Sequence, residues 1–354
     1  MLNAATPARE DNITKLIRNT SRYILSCQQE NGSILWFTDG KLDPWDHTEA
    51  AMGLTITGEY EAAKKAFLWL LEHQNQDGSW YAKYYGPKSE DQDQHKIETN
   101  FVAYPACGLW HYYLVTKDIA FIEQCFSSIE KAIDYVISKQ KPEGDIQWAE
   151  STVEELPQDA LVTACASILR SLECALRLAN LLSLKKEPWQ LAYQKLADVL
   201  KNKPWRFDRT WEPKTRFSMD WFYPILAGIY SKEEAELRID ARWHDFVHPT
   251  LGCRCVSDEP WVTIAESCEL TLALIASGRV QQAQSLFNSL LQWQDQDGGF
   301  WTGYSFRDKV IWPLEKTSWT AAAILLAADA LNTITPAAQL FTSPSHLLFT
   351  QETE

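Results

Sequence analysis

The chain has 354 residues, of which 45% are apolar and 23% charged, and 33 Lys+Arg against 47 Asp+Glu give a net charge of −14. This apolar fraction is typical of a globular core and excludes a wholly disordered chain. An acidic chain without a basic tract is poorly suited to binding nucleic acid, so we expect no such partner. The composition is unusual in its 16 Trp, which serve either as core packing or as the walls of a ligand site.

Along the chain, a Gln-rich turn that ends in Gly and an aromatic residue recurs. Four clear copies read QQENGSILW, QNQDGSW, QKPEGDIQW and QDQDGGFW, at 28–36, 74–80, 140–148 and 294–301. Two weaker copies lie at 204–211 and 247–255. Recurrence at intervals of this size indicates a repeat architecture, here with six units.

Helical periodicity flanks each turn. The segments before the turns are amphipathic, and they cover 10–28, 59–74, 118–140, 187–202, 232–245 and 279–294. The segments after the turns are apolar all round, and they cover 46–56, 97–115, 156–182, 216–229, 262–277 and 316–332. Amphipathic helices suit an outer layer and fully apolar helices a buried one. The pattern predicts an all-α, single-domain (α/α)6 toroid with six inner and six outer helices and no sheet. We assign 1–354 to this domain, with 1–10 and 334–354 as flexible or peripheral termini.

The inner helices of such a toroid run in one direction, so their N-terminal ends surround one mouth of the cavity. Acids concentrate at these ends: Asp46, Glu49, Glu98, Asp159, Asp220, Glu266, Glu269 and Glu315. Aromatic residues share the same segments: Trp45, Tyr104, Trp221, Tyr223, Trp261, Trp312 and Trp319. Any one of these acids is more often a helix cap than a catalyst. In an aromatic pocket, however, a carboxyl group stays protonated and acts as a general acid. The aromatic rings can shield a carbocation or stack on sugars.

Further polar residues are candidates for binding substrate. His47 lies beside Asp46 and is placed to tune that acid, and Asn100 starts the second inner helix with Glu98. Arg254 or Lys316 is placed to hold an acidic head group.

The Q…G…W turns resemble the QW repeats of squalene–hopene cyclases and related class II terpene cyclases. The resemblance covers about 20–332 as one toroid, and is closest to the prenyltransferase-like, monodomain meroterpenoid cyclases of the merosterolic acid synthase type. It implies a cyclase (isomerase) that protonates an isoprenoid or prenylated aromatic substrate, with Trp221, Tyr223 and Trp319 stabilising cations. The family's D-x-D-D donor motif is absent, and Thr48 stands at its proton-donating position. The donor is then Asp46, Glu49 or an acid of another inner helix, with Glu98 the next choice and Asp220 the third.

Two alternatives remain open. The first is a carbohydrate-active enzyme on the same toroid, such as a glycosidase, epimerase or lyase, with a pair of carboxylates at the bond and Trp rings as sugar platforms. The second is a non-catalytic lipid or prenyl carrier, although buried carboxylates would then be an unexplained energetic cost.

No motif calls for a cofactor or a metal site, and Mg²⁺ is compatible but not required. The most apolar segment, 320–331, is too short to span a bilayer, and the N-terminal sequence lacks the pattern of a secretory signal. We expect a cytoplasmic protein, with peripheral membrane contact for substrate uptake as a possibility. The acidic segment 89–94 is expected to be a solvated loop. The sequence does not predict the oligomeric state.

Overall fold

A computed structural model describes residues 12–85 and 95–349 of the chain. The acidic segment 89–94 and residues 1–10 lie outside these described ranges. The α-helices in them are α1 (Asn12–Cys27), α2 (Pro44–Ile56), α3 (Tyr60–His73), α4 (Thr99–Ala103), α5 (Pro105–Thr116), α6 (Ile119–Ser138), α7 (Val162–Leu181), α8 (Glu187–Asn202), α9 (Ser218–Leu226), α10 (Lys232–Phe246), α11 (Ile264–Ala276), α12 (Val280–Leu290), α13 (Ser318–Asn332) and α14 (His346–Phe349).

The helices form two concentric rings. The inner ring follows the packing order α2, α4 with α5, α7, α9, α11 and α13, and α13 closes the ring against α2. Every residue of α2 is buried, whereas outer helix α10 buries only Ala235, Ile239 and Phe246. This contrast follows from composition, because a helix that is apolar all round must be covered on every side. The structure confirms a mostly helical chain of six inner helices alternating with α1, α3, α6, α8, α10 and α12 outside.

The expectation of a strictly all-α chain is not confirmed, because short strands are present. The described residues contain nine short strands: β1 (Lys41–Leu42), β2 (Tyr84–Tyr85), β3 (Lys96–Glu98), β4 (Ala149–Ser151), β5 (Val247–His248), β6 (Gly252–Arg254), β7 (Trp261–Thr263), β8 (Gly303–Ser305) and β9 (Val310–Ile311). β1 pairs with β2, β3 pairs with β4, and β5 to β9 form one antiparallel sheet in chain order. Strands of two or three residues are too short to show alternating hydrophobicity, so the sequence gives no sign of them.

The recurrent turns join neighbouring outer helices. Gln74 Nε2 donates to the carbonyl oxygen of Gly78 in its own turn, at 2.9 Å, and to that of Ser128 on α6, at 2.8 Å. Gly78 has φ of +93°, and a Cβ at this position would lie 2.4 Å from the Lys131 carbonyl oxygen. Only glycine meets both conditions. The side chains of Gln28 and Gln140 form the same two bonds, one within their own turn and one to the next outer helix. The side chain of Gln294 bonds a side chain of α1.

The repeated turns therefore hold the outer ring together. Their Gln and Gly residues are required by this packing.

The last described segment covers the end of the barrel opposite the mouth. Arg170 of α7 donates to the carbonyl oxygen of Ser343 at 2.9 Å, and the side chains of Ala337 and Phe341 are buried. The eight cysteines are free, and seven of them are buried. In the part of the chain that the structure describes, no helix combines the length and the apolar character needed to cross a membrane.

Candidate active site

The loops before the inner helices are bonded to one another around the mouth. Ser318 N donates to the Trp36 carbonyl oxygen at 2.7 Å, which links the loop before α13 to the loop before α2. Thr99 N donates to Trp148 O, and Ser218 N donates to Cys255 O, each at 2.9 Å. Together with the short strands, these bonds form a continuous rim. The rim holds the N-terminal ends of the inner helices in a defined arrangement.

Four acids from two inner helices face one another inside this rim. Asp46 and Glu49 lie one turn apart on α2, and Glu266 and Glu269 lie one turn apart on α11. Asp46 and Glu266 are each 8% exposed, whereas Glu49 and Glu269 are 2% and 4% exposed. Asp46 and Glu266 therefore lie nearer to solvent, and Glu49 and Glu269 lie deeper in the barrel. We call these four residues the mouth acids.

Glu49 is held by aromatic donors. Its Oε2 accepts hydrogen bonds from Trp45 Nε1 at 3.2 Å and from the Tyr104 hydroxyl at 3.1 Å. The Trp45 and Tyr104 rings stack with centroids 4.6 Å apart, and the centroid of the Tyr223 ring lies 5.6 Å from that of Trp45. Burial raises the pKa of Glu49 to about 7, although the bonds from Tyr104 and Trp45 oppose this shift. The carboxyl group is therefore poised between its two protonation states near neutral pH.

Asp46 and Glu269 favour the protonated state. Burial and the neighbouring charges of Asp43, Glu49 and Glu266 raise the pKa of Asp46 well above its usual range. Burial and the charges of Glu49, Glu266 and Asp46 do the same to the pKa of Glu269, whose Oε2 has no hydrogen-bond partner. Like charges in a small, poorly solvated volume disfavour ionisation of the whole set. The cluster thus supplies a proton donor at neutral pH.

Glu266 lies in the first turn of α11, as Asp46 does in the first turn of α2. The Cys255 thiol lies against Glu266, and burial followed by the Glu266 charge raises the pKa of that thiol. Carboxyl groups on two different inner helices can serve as the acid and the base of general acid–base catalysis.

Glu98, Asn100 and Asp220 lie at the edge of the mouth. Glu98 forms an ion pair with Lys96 at 2.7 Å, and Asn100, at the start of α4, is 7% exposed. Burial and the charge of Asp208 raise the pKa of Asp220 to about 6. Their predicted functional roles stay predictions.

The structure places His47 and Trp221 away from the mouth acids. His47 accepts from Ile34 N at 3.0 Å and bonds the Ala66 carbonyl oxygen at 2.9 Å, so it joins α2 to α3. Burial lowers the pKa of His47 to about 4, so the ring is neutral. Trp221 stacks on Phe246 with centroids 5.2 Å apart and donates to the Arg238 carbonyl oxygen. It packs against outer helix α10.

The other predicted binding residues lie on or near the five-stranded sheet. Trp261 donates from Nε1 to the Trp312 carbonyl oxygen at 2.6 Å, and Trp312 is 56% exposed. Arg254 donates to the Ser257 carbonyl oxygen at 2.9 Å. Trp319 is half-buried beside Glu49. Lys316 is bound to Asp295 and Asp297 of a recurrent turn, so it belongs to the packing of that turn.

The sequence analysis missed Asp43, Trp36, Lys41 and Lys96. Asp43 caps α2 by accepting from Asp46 N at 2.9 Å, and it also accepts from Trp36 Nε1 at 3.0 Å. An Asp followed by Pro44 is a signal for the start of a helix, so Asp43 could have been found. Nothing in the local sequence marks the two lysines.

Across 12–85 and 95–349, no three His, Cys, Asp or Glu side chains are grouped so as to hold a metal ion. The expectation that no cofactor is needed stays a prediction.

No protein-family model matches the chain. A curated relative, the MMP endo-(1,4)-3-O-methyl-α-D-mannosidase of Mycolicibacterium hassiacum, is 43% identical over 324 residues, which are 92% of this chain and 88% of that protein. The chain belongs to the family of this endo-mannosidase.

Solved structures share the fold of this endo-mannosidase family member. A D-mannose isomerase matches with a TM-score of 0.69 and 13% identity, covering 92% of this chain and 99% of that one. The GH63 mannosylglycerate hydrolase of Thermus thermophilus, in complex with Tris and D-glycerate, matches with a TM-score of 0.65 and 15% identity, covering 88% and 99%. A wild-type glycosidase matches with a TM-score of 0.67 and 14% identity, covering 92% and 100%.

The endo-mannosidase relative overturns the terpene cyclase prediction. The resemblance to class II and meroterpenoid cyclases, the isomerase activity and the isoprenoid or prenylated aromatic substrate are all wrong. The error has a physical cause, because the Gln and Gly of the Q…G…W turns serve the packing of outer helices and do not indicate which substrate the barrel binds. Aromatic residues beside acids suit sugars as well as cations. The alternative of a carbohydrate-active enzyme is the better account.

Proposed function

We propose that the chain is a glycoside hydrolase that cleaves (1,4) bonds between 3-O-methyl-α-D-mannose residues inside an oligosaccharide. The observation that carries this proposal is the pair of carboxyl groups, Asp46 and Glu266, on the two inner helices that flank α13 at the mouth of the barrel. The family relationship supplies the substrate class, since the relative is named for this bond. The predicted cytoplasmic location is kept as part of the proposal, and cell fractionation with an antibody to the chain tests it.

Asp46 is the general acid of the proposed reaction. Its pKa is raised by burial and by the charges of Asp43, Glu49 and Glu266, so it holds a proton at neutral pH. It gives this proton to the glycosidic oxygen as the bond from that oxygen to the anomeric carbon breaks. The leaving sugar departs as a neutral alcohol.

Glu266 is the general base. Its carboxylate takes a proton from a water molecule as the water oxygen bonds to the anomeric carbon, so one water is consumed for each bond cleaved. Attack by water on the face opposite the leaving group inverts the anomeric configuration. Proton NMR of the first product therefore tests this role. Retention would instead assign Glu266, or another acid, as a nucleophile.

The deciding experiment uses purified protein with a (1,4)-linked 3-O-methyl-α-D-mannose oligosaccharide, an unmethylated manno-oligosaccharide of equal length and a gluco-oligosaccharide. Mass spectrometry follows the products. We expect internal cleavage of the methylated chain, giving fragments of intermediate length before any monosaccharide accumulates. Release of monosaccharide alone contradicts the endo assignment, and absence of cleavage contradicts the function.

Variants assign the two roles. We expect Asp46→Asn and Glu266→Gln each to lower kcat by about 10²–10⁴-fold, the usual contribution of a positioned acid or base. The matched control is Glu187→Gln, which removes an exposed carboxylate from outer helix α8 and should leave kcat unchanged. Full activity of either mouth variant would remove that residue from the mechanism.

A further inference from the structure

A small cavity adjoins the mouth acids between the starts of α2 and α4. Its volume is about 210 Å³, below the range of about 300–1,000 Å³ that is usual for drug-sized ligands. Aromatic, cationic and acidic side chains line it together: Trp36, Phe101, Lys41, Lys96, Asp43 and Glu98. The size suits one sugar ring, and the mixture of side chains is unlike that of a packing defect, which is apolar.

The lysines of this cavity are held in place. Lys96 Nζ lies 2.7 Å from Glu98 Oε1 and 4.2 Å from the centroid of the Trp148 ring. Lys41 Nζ lies 3.8 Å from the centroid of the Trp36 ring. Indole faces attract ammonium groups and so restrict their positions. Fixed donors lose less conformational entropy when a ligand binds than free lysines would.

The backbone around the cavity is also fixed. Trp36 N donates to the Lys41 carbonyl oxygen, and Ala82 N donates to that of Lys96, each at 2.7 Å. β1 pairs with β2, and β3 pairs with β4. The lining residues are therefore carried by paired strands and not by independent loops.

Asp43 connects the cavity to the catalytic pair. It lines the cavity, and its Oδ1 accepts from the backbone nitrogen of Asp46 at 2.9 Å. A ring in the cavity is thus next to the ring whose bond Asp46 would protonate. Endo cleavage requires binding of sugar units beside the reacting one, which a single central site does not provide.

We propose that this cavity is a subsite that binds one pyranose ring of the substrate chain, adjacent to the bond that is cleaved. The inference rests on the proposed function and adds the residues that bind a neighbouring sugar. Sugar hydroxyls both donate and accept hydrogen bonds, so they match the ammonium donors of Lys41 and Lys96 and the carboxylate acceptors of Asp43 and Glu98. The lining includes a third lysine, Lys83, and the aromatic edges suit the C–H groups of a ring.

The test compares Lys96→Met with Lys186→Met on substrates of increasing length. Lys186 is a matched control because it also pairs with a glutamate, Glu130, and lies 4.9 Å from the Trp189 ring centroid. It stands at the start of α8, at the end of the barrel away from the mouth. We expect Lys96→Met to raise KM about tenfold, the loss of one hydrogen bond to a charged group, with kcat within twofold. The effect should appear only above the length at which the chain reaches the cavity, and Lys186→Met should match the wild type.

Lys41→Met provides a second variant, should Lys96→Met fold poorly, and the same length-dependent rise in KM is expected. Equal KM values for wild type and both cavity variants at every length would overturn the subsite while leaving the hydrolase function intact.

If the wild type cleaves no glycoside, the proposed function fails, and the cavity is tested by titrating methyl α-D-mannopyranoside against Trp fluorescence. A saturable change that weakens in Lys96→Met but not in Lys186→Met supports the subsite. Absence of saturation in the wild type overturns it.

Discussion

Buried carboxylates lie at both ends of the inner ring, and their partners differ. At the end away from the mouth, Glu173 is 1% exposed and accepts from Arg170 at 2.8 Å and from Arg177 at 2.9 Å. Burial alone would raise the pKa of Glu173, but the two guanidinium groups lower it. At the mouth, the equally buried Glu269 faces other acids, and its pKa is raised.

The difference shows that burial by itself does not identify a functional acid. Glu173 is paired with cations, stays ionised and ties α7 to the last segment through Arg170, which also bonds Ser343. The mouth acids face one another without such cations, so they retain protons that chemistry can use. Buried acids whose pKa is raised and that have no cationic partner are a better indicator of an active site than burial alone.

The largest expected effect is a loss of stability at the end of the barrel away from the mouth. Glu173→Ala leaves Arg170 and Arg177 without their carboxylate partner, and we expect the free energy of unfolding to fall by about 3–5 kcal/mol. Urea denaturation at pH 7 measures it. An exposed acid, as in Glu187→Ala, is the control and should change stability by less than about 0.5 kcal/mol. A loss at Glu173 no larger than this control would show that the pair does not hold the barrel end.

The matching change at the mouth should act in the opposite direction. Glu269→Gln removes an acid that resists ionisation, so we expect the free energy of unfolding at pH 8 to stay equal or to rise by up to about 1 kcal/mol. Urea denaturation again measures this free energy. A loss of several kcal/mol would mean that Glu269 is a structural group like Glu173, and the contrast between the two ends would disappear.

The pH dependence of stability follows from the raised pKa of Glu49. Folding raises it from 4.5 to about 7, so the folded state holds this proton more tightly than the unfolded state. The resulting stabilisation is complete below pH 4.5 and is lost as the pH rises towards 7. We expect the free energy of unfolding to fall over this interval, and to fall less in Glu49→Gln. Equal slopes in wild type and variant, measured by urea denaturation at each pH, would contradict the shift.

The smallest effect is on the pH profile of catalysis. The Glu49 charge raises the pKa of Asp46, and activity declines when Asp46 loses its proton. Glu49→Gln removes this charge, so the alkaline limb of kcat/KM should move to lower pH by roughly half to one unit. A merely structural role for Glu49 would lower the activity without moving the limb. Glu187→Gln, far from the mouth, should keep the wild-type profile.

Part of the site was predictable from the sequence. Asp46, Glu49, Glu266 and Glu269 are all recognisable in the sequence as acids at the N-terminal ends of inner helices. Glu98 was the next choice as a proton donor because of its position at a helix start, but the structure shows it paired with Lys96 at the rim. Local sequence does not reveal a partner that lies across a strand pair. The lysines that line the proposed subsite were missed for the same reason.

The sequence alone determined the helical rings, because periodicity and the Gln and Gly of the recurrent turns are local properties that packing requires at each repeat. It did not determine the chemistry, since those turns serve any barrel of this kind. Only the tertiary structure brought α2 and α11 together at one mouth, through the closure of α13 against α2. The pKa of Asp46 depends on Glu266, which is distant in sequence, and an electrostatic interaction of this kind exists only when the ring has closed.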